Sequence, residues 1–151
     1  MRTPGRRRAA FTLVELVVVI MIIGILAAIA APKVFNASKT ATDNAARANL
    51  RIIRDAIDTY AANNGGSLPG QGGSLPTDLA PYLRNGIFPS CPVGSSTTVN
   101  TNSVEYVSGS GGTMPTADGT TAWMYDKAQG FFIINYSANS ASGSGAPYSS
   151  F

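Results

Sequence analysis

The chain contains no histidine and only one cysteine, Cys91. Nucleophilic catalysis by Ser, Thr or Cys needs a base within hydrogen-bond reach, and without imidazole these residues have none. Metal sites built from His and Cys are excluded for the same reason. A lone thiol cannot close an internal disulfide, and Cys91, between Pro89 and Pro92, reads as a loop thiol with no chemical task. Charge is scarce too, at 13% of residues. The formal charge of +3 comes from eleven basic and eight acidic residues, but Arg2, Arg6, Arg7 and Arg8 all lie in the first ten positions, leaving seven basic against eight acidic beyond them. No Lys or Arg cluster remains to track phosphates, so no nucleic-acid partner is expected. The carboxylates are scattered, without an acid–base pair that can be placed together, and an enzyme is not expected.

What the chain does contain is the stretch Phe11 to Ala31, FTLVELVVVIMIIGILAAIAA, in which only Thr12 and Glu15 carry polar side chains. At ~1.5 Å per residue a helix of this length crosses the ~30 Å hydrocarbon core of a bilayer. A carboxylate in such a segment costs roughly 2.5 to 3.5 kcal/mol at bilayer centre and less near an interface, so Glu15 requires a partner. Residues 1–10 form a short basic leader that the positive-inside rule holds in the cytoplasm while the rest is drawn across. Two cuts then compete. The small-x-small sequence Ala28-Ile29-Ala30 fits a secretory signal cleaved after Ala30, which would release a secreted binding module. Glu15 would interrupt the apolar region of such a signal with nothing gained. The other scheme cuts before the apolar run.

The stretch Arg6-Arg7-Arg8-Ala9-Ala10-Phe11-Thr12-Leu13-Val14-Glu15 resembles the type IV prepilin and pseudopilin family: a basic leader, a cleavage junction, an N-methylated Phe, Thr-Leu, and Glu four residues after that Phe. Pro32 also stands where the family often has proline. The resemblance implies cleavage between Ala10 and Phe11 by a prepilin peptidase and N-methylation of Phe11. Ala10 replaces the family's usual Gly; its small size keeps cleavage as the expectation, and the departure from Gly bears on efficiency. Glu15 is then an assembly residue that neutralises the amine of Phe11 in a neighbouring subunit. The implied fold is α+β and pilin-like, a long N-terminal helix packed against a small C-terminal antiparallel sheet. The implied partners are copies of the chain or related pilins in a helical filament, the inner-membrane assembly platform and the lipid bilayer. The implied location is the bacterial inner membrane, single-pass, with the C-terminal head in the periplasm or outside. A small head, no disulfide and a closing hairpin favour a type II secretion pseudopilin; a type IV pilus subunit for adhesion, motility or DNA uptake is the alternative. Major pseudopilins bind calcium in a late loop, and Asp118 and Asp126, with Glu105 farther back, are the carboxylates available for such a site.

Beyond residue 31 apolar side chains become one-sided. Leu50, Ile53, Ile57 and Tyr60, with Ala46 and Ala56, form an amphipathic helical stripe. The i,i+4 pairs Asp43/Arg47, Arg51/Asp55 and Arg54/Asp58 read as a solvated face. Gly24 and Pro32 are soft points, and Pro32 predicts a kink or local melting near residues 28–32. A helix from Phe11 to about Asn63 would be ~80 Å long, and Asn64-Gly65-Gly66 should end it. The repeated Gly-Gly-Ser-Leu-Pro at 65–69 and 72–76 is a loop, without the lysine and helix of a phosphate cradle. Thr77 to Leu83 should form one or two helical turns, and Val104 to Val107 a short strand. Ala122–Tyr125 and Phe131–Tyr136, joined by 126–130, read as a hairpin whose aromatic face covers the helix stripe. Residues 137–151 read as a mobile tail or loosely docked coil. The expected divisions are thus a leader at 1–10, the membrane half of the helix at 11–31, its amphipathic half at 32–64, a head at 65–136 and a tail at 137–151.

Overall fold

The computed structural model describes residues 11–109, 111–113, 115–143 and 145–151. The leader, and with it Ala10, lies outside the described residues. The chain divides into two compact units, Met1–Ala37 and Ser38–Phe151, and one helix, α1 (Leu13–Asn63), contributes to both. In the first unit every described residue is exposed. Helix α1 runs through Gly24 and Pro32 without a break. Pro32 therefore removes the bond its N–H would give the Ala28 carbonyl but does not melt the turn around it.

In the second unit α1 presents the expected stripe. Ala46, Leu50, Ile53, Ala56 and Ile57 are buried, and Tyr60 packs at their margin. The helix stops where glycine takes over: Gly65 adopts φ +65°, and the Gly66 N–H closes on the Ala61 carbonyl at 2.8 Å, which satisfies a carbonyl that the last turn leaves open. Helix α2 (Leu75–Leu79) follows with a 3₁₀ turn at Ala80–Tyr82. It starts two residues earlier than the sequence suggests, because Pro76 is tolerated in a first turn. Leu75, Leu79 and Leu83 are buried against the stripe.

Strands β1 (Val104–Val107), β2 (Trp123–Asp126) and β3 (Phe132–Ile134) form one sheet in the order β1-β2-β3. β2 and β3 are the expected antiparallel hairpin, with Tyr125 opposite Phe132. Gly130, at φ +76°, closes its turn, and a side chain there would meet Leu68 at 3.0 Å. The expectation of a wholly antiparallel sheet is corrected by β1, which runs parallel to β2 with Val104 opposite Trp123. A parallel neighbour requires a long crossover, and the Ser, Thr and Gly-rich connection 108–122 supplies it. Trp123, Tyr125, Phe132 and Ile134 share the face that joins the α1 stripe in one apolar cluster; each such large side chain contributes about 1.5 to 3 kcal/mol by burial. The Trp123 indole N–H finds the Pro89 carbonyl at 3.2 Å.

Residues 137–151 correct a second expectation. The described residues among them are docked rather than loose, with an isolated bridge between Asn139 and Pro147, a 3₁₀ turn at Tyr148–Ser150, and Ser140 and Tyr148 buried. Their anchor is Asp43, which is 3% exposed and so not on a solvated face. Its carboxylate accepts from the Tyr148 hydroxyl at 2.6 Å, from the Ser142 N–H at 3.1 Å, and from the Ser140 hydroxyl. Asp43 is three residues before Ala46 and seven before Leu50, which places it on the buried stripe. Burial alone would push its pKa up, but the hydrogen bonds from Ser140, Ser142 and Tyr148 outweigh that and hold it at about 2, below the ordinary 3.8.

Because folding lowers this pKa, its contribution to stability is complete above pH ~4 and disappears as the pH falls from there towards ~2. Asp43→Asn should therefore cost about 1 to 3 kcal/mol near neutrality. Urea unfolding of the full chain in detergent at pH 7 and pH 3 checks this: the gap between variant and wild type should narrow in acid. An equal gap at both pH values would show that the charge is not what holds the segment.

Candidate functional site

Two regions carry the functional features, one in each unit. In the first, the aliphatic helix residues have no cover. Large apolar side chains from Phe11 to Phe35 range from 46% exposed at Val17 to 82% at Phe11. A water-soluble protein does not leave so long a contiguous apolar surface open. Among the described residues α1 is the one helix long and apolar enough to cross a membrane. A Cβ placed at Gly24 would meet nothing within 4 Å, so that glycine is a gap on an open surface.

Glu15 has a local role that its charge alone did not reveal. Its Oε2 accepts from the Thr12 N–H at 3.1 Å and the Thr12 hydroxyl at 3.0 Å, while the Glu15 N–H donates to Thr12 Oγ1 at 3.2 Å. This reciprocal arrangement is a capping box. Thr12 precedes the first helical residue, Leu13, and otherwise orphaned N–H groups at a helix start are met without water. The Thr-x-x-Glu spacing in the sequence was the available signal. Phe11, next to the cap, lies at the outermost end of the described apolar surface.

In the second unit the arginines of α1 do not form the expected i,i+4 ion pairs. Arg54 is half-buried and donates from Nε and Nη2 to the Phe132 carbonyl at 3.0 and 2.8 Å and from Nη1 to the Phe151 carbonyl at 3.0 Å. Burial lowers its pKa, and the carbonyl bonds provide the compensation that a buried guanidinium requires. Arg47 lies over the Phe151 ring, 3.4 Å from its centroid. The two arginines thus fasten the hairpin and the C-terminal segment to α1. Asp58 remains at the rim of a cleft of about 250 Å³ lined by Arg54, Gly130, Phe131 and Phe132.

The calcium candidates do not converge. Asp126 sits at the turn end of β2, where its Oδ1 accepts from the Ala128 and Gln129 N–H groups at 2.8 and 3.3 Å. Asp118 is at the other end, bonded through Oδ1 to Asn135 Nδ2 at 2.8 Å and to the Thr120 N–H at 3.0 Å. These bonds, with the backbone contribution leading, hold its pKa below the ordinary carboxylate value. The carboxylate that does approach it is Glu105, which shares both Thr120 Oγ1 and Asn135 Nδ2 with it. The Asn135 amide cannot turn round, because its Oδ1 accepts from the Asp118 and Gly119 N–H groups at 2.8 and 3.2 Å. Its nitrogen therefore points between the carboxylates. Among the described residues no group of three or more His, Cys, Asp or Glu side chains could hold a metal ion. Cys91 is fully buried, and burial pushes its thiol up to about 11, which makes it unreactive at neutral pH.

Comparison with known proteins agrees with the N-terminal chemistry. The model of the prokaryotic N-terminal methylation motif matches residues 5–31. The competence protein ComGC of Halalkalibacterium halodurans is 30% identical over 101 residues, covering 66% of this chain and 91% of that protein. The type II secretion system core protein G of Pseudomonas aeruginosa is 37% identical over 59 residues, 39% of this chain and 42% of the relative. The protein of the same name from Aeromonas hydrophila is 36% identical over 59 residues, 39% and 41% of the two chains. The chain thus spans about two fifths of these two secretion relatives and nearly all of the competence one. No solved structure matches.

The cap makes an informative variant of Glu15. Gln at that position can still complete a capping box but carries no charge. Glu15→Gln should therefore leave helix content and membrane insertion as in wild type and sharply reduce filament recovered from lysed cells. Filament at wild-type yield would remove the carboxylate from assembly. The motif, the exposed aliphatic helix and the relatives together place this chain in the prepilin family of pilin and pseudopilin subunits, with a single-pass membrane anchor at its N-terminus.

Proposed function

We propose that the chain is a structural subunit of a type II secretion pseudopilus, stored in the inner membrane and drawn into a helical filament after a prepilin peptidase cuts between Ala10 and Phe11 and Phe11 is N-methylated. One observation carries this reading: the apolar surface of residues 11–35 is open on all sides, and a surface of that kind can pass from lipid to neighbouring helices with little change in polarity. Burial therefore does not oppose extraction from the bilayer, and the Glu15 carboxylate can pair with the new amine of a neighbour and set the register. The subunit does its work by assembling rather than by catalysis. The small head, its closing β2–β3 hairpin and its lack of a disulfide support the pseudopilin assignment within the family.

The match to nearly the full length of a competence protein favours a second reading, a pilus subunit serving DNA uptake in place of secretion. Deleting the coding sequence separates the two. Loss of secreted protein from the medium, with transformation unchanged and restoration by the wild-type chain but not by Glu15→Gln, is the expected result. Loss of transformation with secretion intact would reassign the filament, and no change in either would remove both readings.

A further inference from the structure

A protrusion on the head matches the cleft beside Asp58. Leu83 and Phe88 are buried in the apolar cluster, and the four residues between them, Arg84 to Ile87, are all exposed. They are not slack. Asn85 takes the left-handed conformation at φ +58°, and the Gly86 N–H reaches the Leu83 carbonyl at 3.0 Å, so the segment is a tight turn pinned at both ends by core side chains. At its tip Ile87 is 69% exposed, more than any other large apolar side chain of this unit. Arg84 beside it is exposed, and no ion pair joins it to another described residue. The protrusion therefore offers one exposed aliphatic group and one exposed guanidinium, neither of them paired among the described residues.

The cleft offers the complement. It is lined by Arg54, Asp58, Gly130, Phe131 and Phe132, and its volume is about 250 Å³. The basic residue that the helical spacing would give Asp58, Arg54, is turned to the Phe132 and Phe151 carbonyls instead. Asp58 thus keeps an exposed carboxylate next to a recess, large enough for an isoleucine side chain, whose apolar wall is Phe131 and Phe132 and whose guanidinium, Arg54, is already occupied by the two carbonyls. The protrusion and the cleft have no residue in common.

We infer that the head of one copy inserts Ile87 into the Phe131–Phe132 cleft of a second copy while its Arg84 pairs with that copy's Asp58. This rests on the filament reading and gives it a head-to-head contact. The occupant is a second copy of this chain because the same surface supplies both the acid-rimmed apolar recess and the basic apolar tip that fills it. Each copy would use different patches towards its two neighbours, a heterologous contact that propagates instead of closing on itself. The ion pair sits at an apolar edge, where it fixes register and rejects wrong partners more than it adds affinity.

The test uses the full chain in its native membrane. Arg84→Glu and Asp58→Arg should each abolish filament recovered from lysed cells, and the double variant should restore it. In parallel, chains carrying Arg84→Cys are co-expressed with chains carrying Asp58→Cys and treated with a short bis-maleimide. A crosslinked dimer should form only when both are present, since Cys91 is buried. Crosslinked dimers in cells that make no filament would uphold this contact and overturn the filament reading. Filament without the heterotypic crosslink, or without rescue by the double variant, would overturn the contact and leave that reading standing. Absence of both would overturn both.

Discussion

The structure depends on an apolar helix surface that stands exposed along the described residues of the first unit. Among the described residues of the first unit, the side chains from Phe11 to Phe35 are all exposed, so lipid or other helices must cover them. At roughly 25 cal/mol per Å² of apolar surface, leaving such a stretch in water carries a large free-energy cost. It decides where the protein can reside and why it would assemble. Charge has to be placed with care in such a segment, and Glu15 is admitted at the end of the helix, where it caps Thr12 and the orphan N–H groups favour an anion.

The second unit solves a separate problem. A small head has little core to spare, and α1 supplies one whole wall of it. Polar residues of the helix then extend that wall. Asp43 holds Ser140, Ser142 and Tyr148, and Arg54 joins β3 to the last residue, Phe151. These are charge-assisted bonds between elements far apart in sequence, stronger than surface ion pairs along one helix. The same use of Arg54 leaves Asp58 open at the cleft, so internal fastening and external contact are linked through one side chain.

Much of this was legible in the sequence where the signal was periodic or continuous. The aliphatic run, the Leu50–Ile53–Ile57 stripe and the Trp123–Tyr136 hairpin each announce themselves by spacing. Direction and partnership were harder. Val104–Val107 reads as a strand, but only the crossover through 108–122 makes it parallel. Asp43 and Arg54 look like members of solvated i,i+4 pairs because local spacing gives no view of residues a hundred positions away. The Ser and Gly-rich composition of 137–151 suggests mobility, yet Tyr148 and Phe151 are enough to anchor it. By sequence, Asp118 and Asp126 are the carboxylates available to a late-loop site, whereas in the fold β2 lies between them.

The measurement that bears most directly on the central claim is the mass and terminal sequence of the mature protein from its native membrane. The account predicts a chain beginning at Phe11 and heavier by one methyl group, with the apolar helix retained. A chain beginning at Ala31 would mean that the helix is discarded after export, that Glu15 has no lasting partner, and that assembly through this segment is not what the protein does.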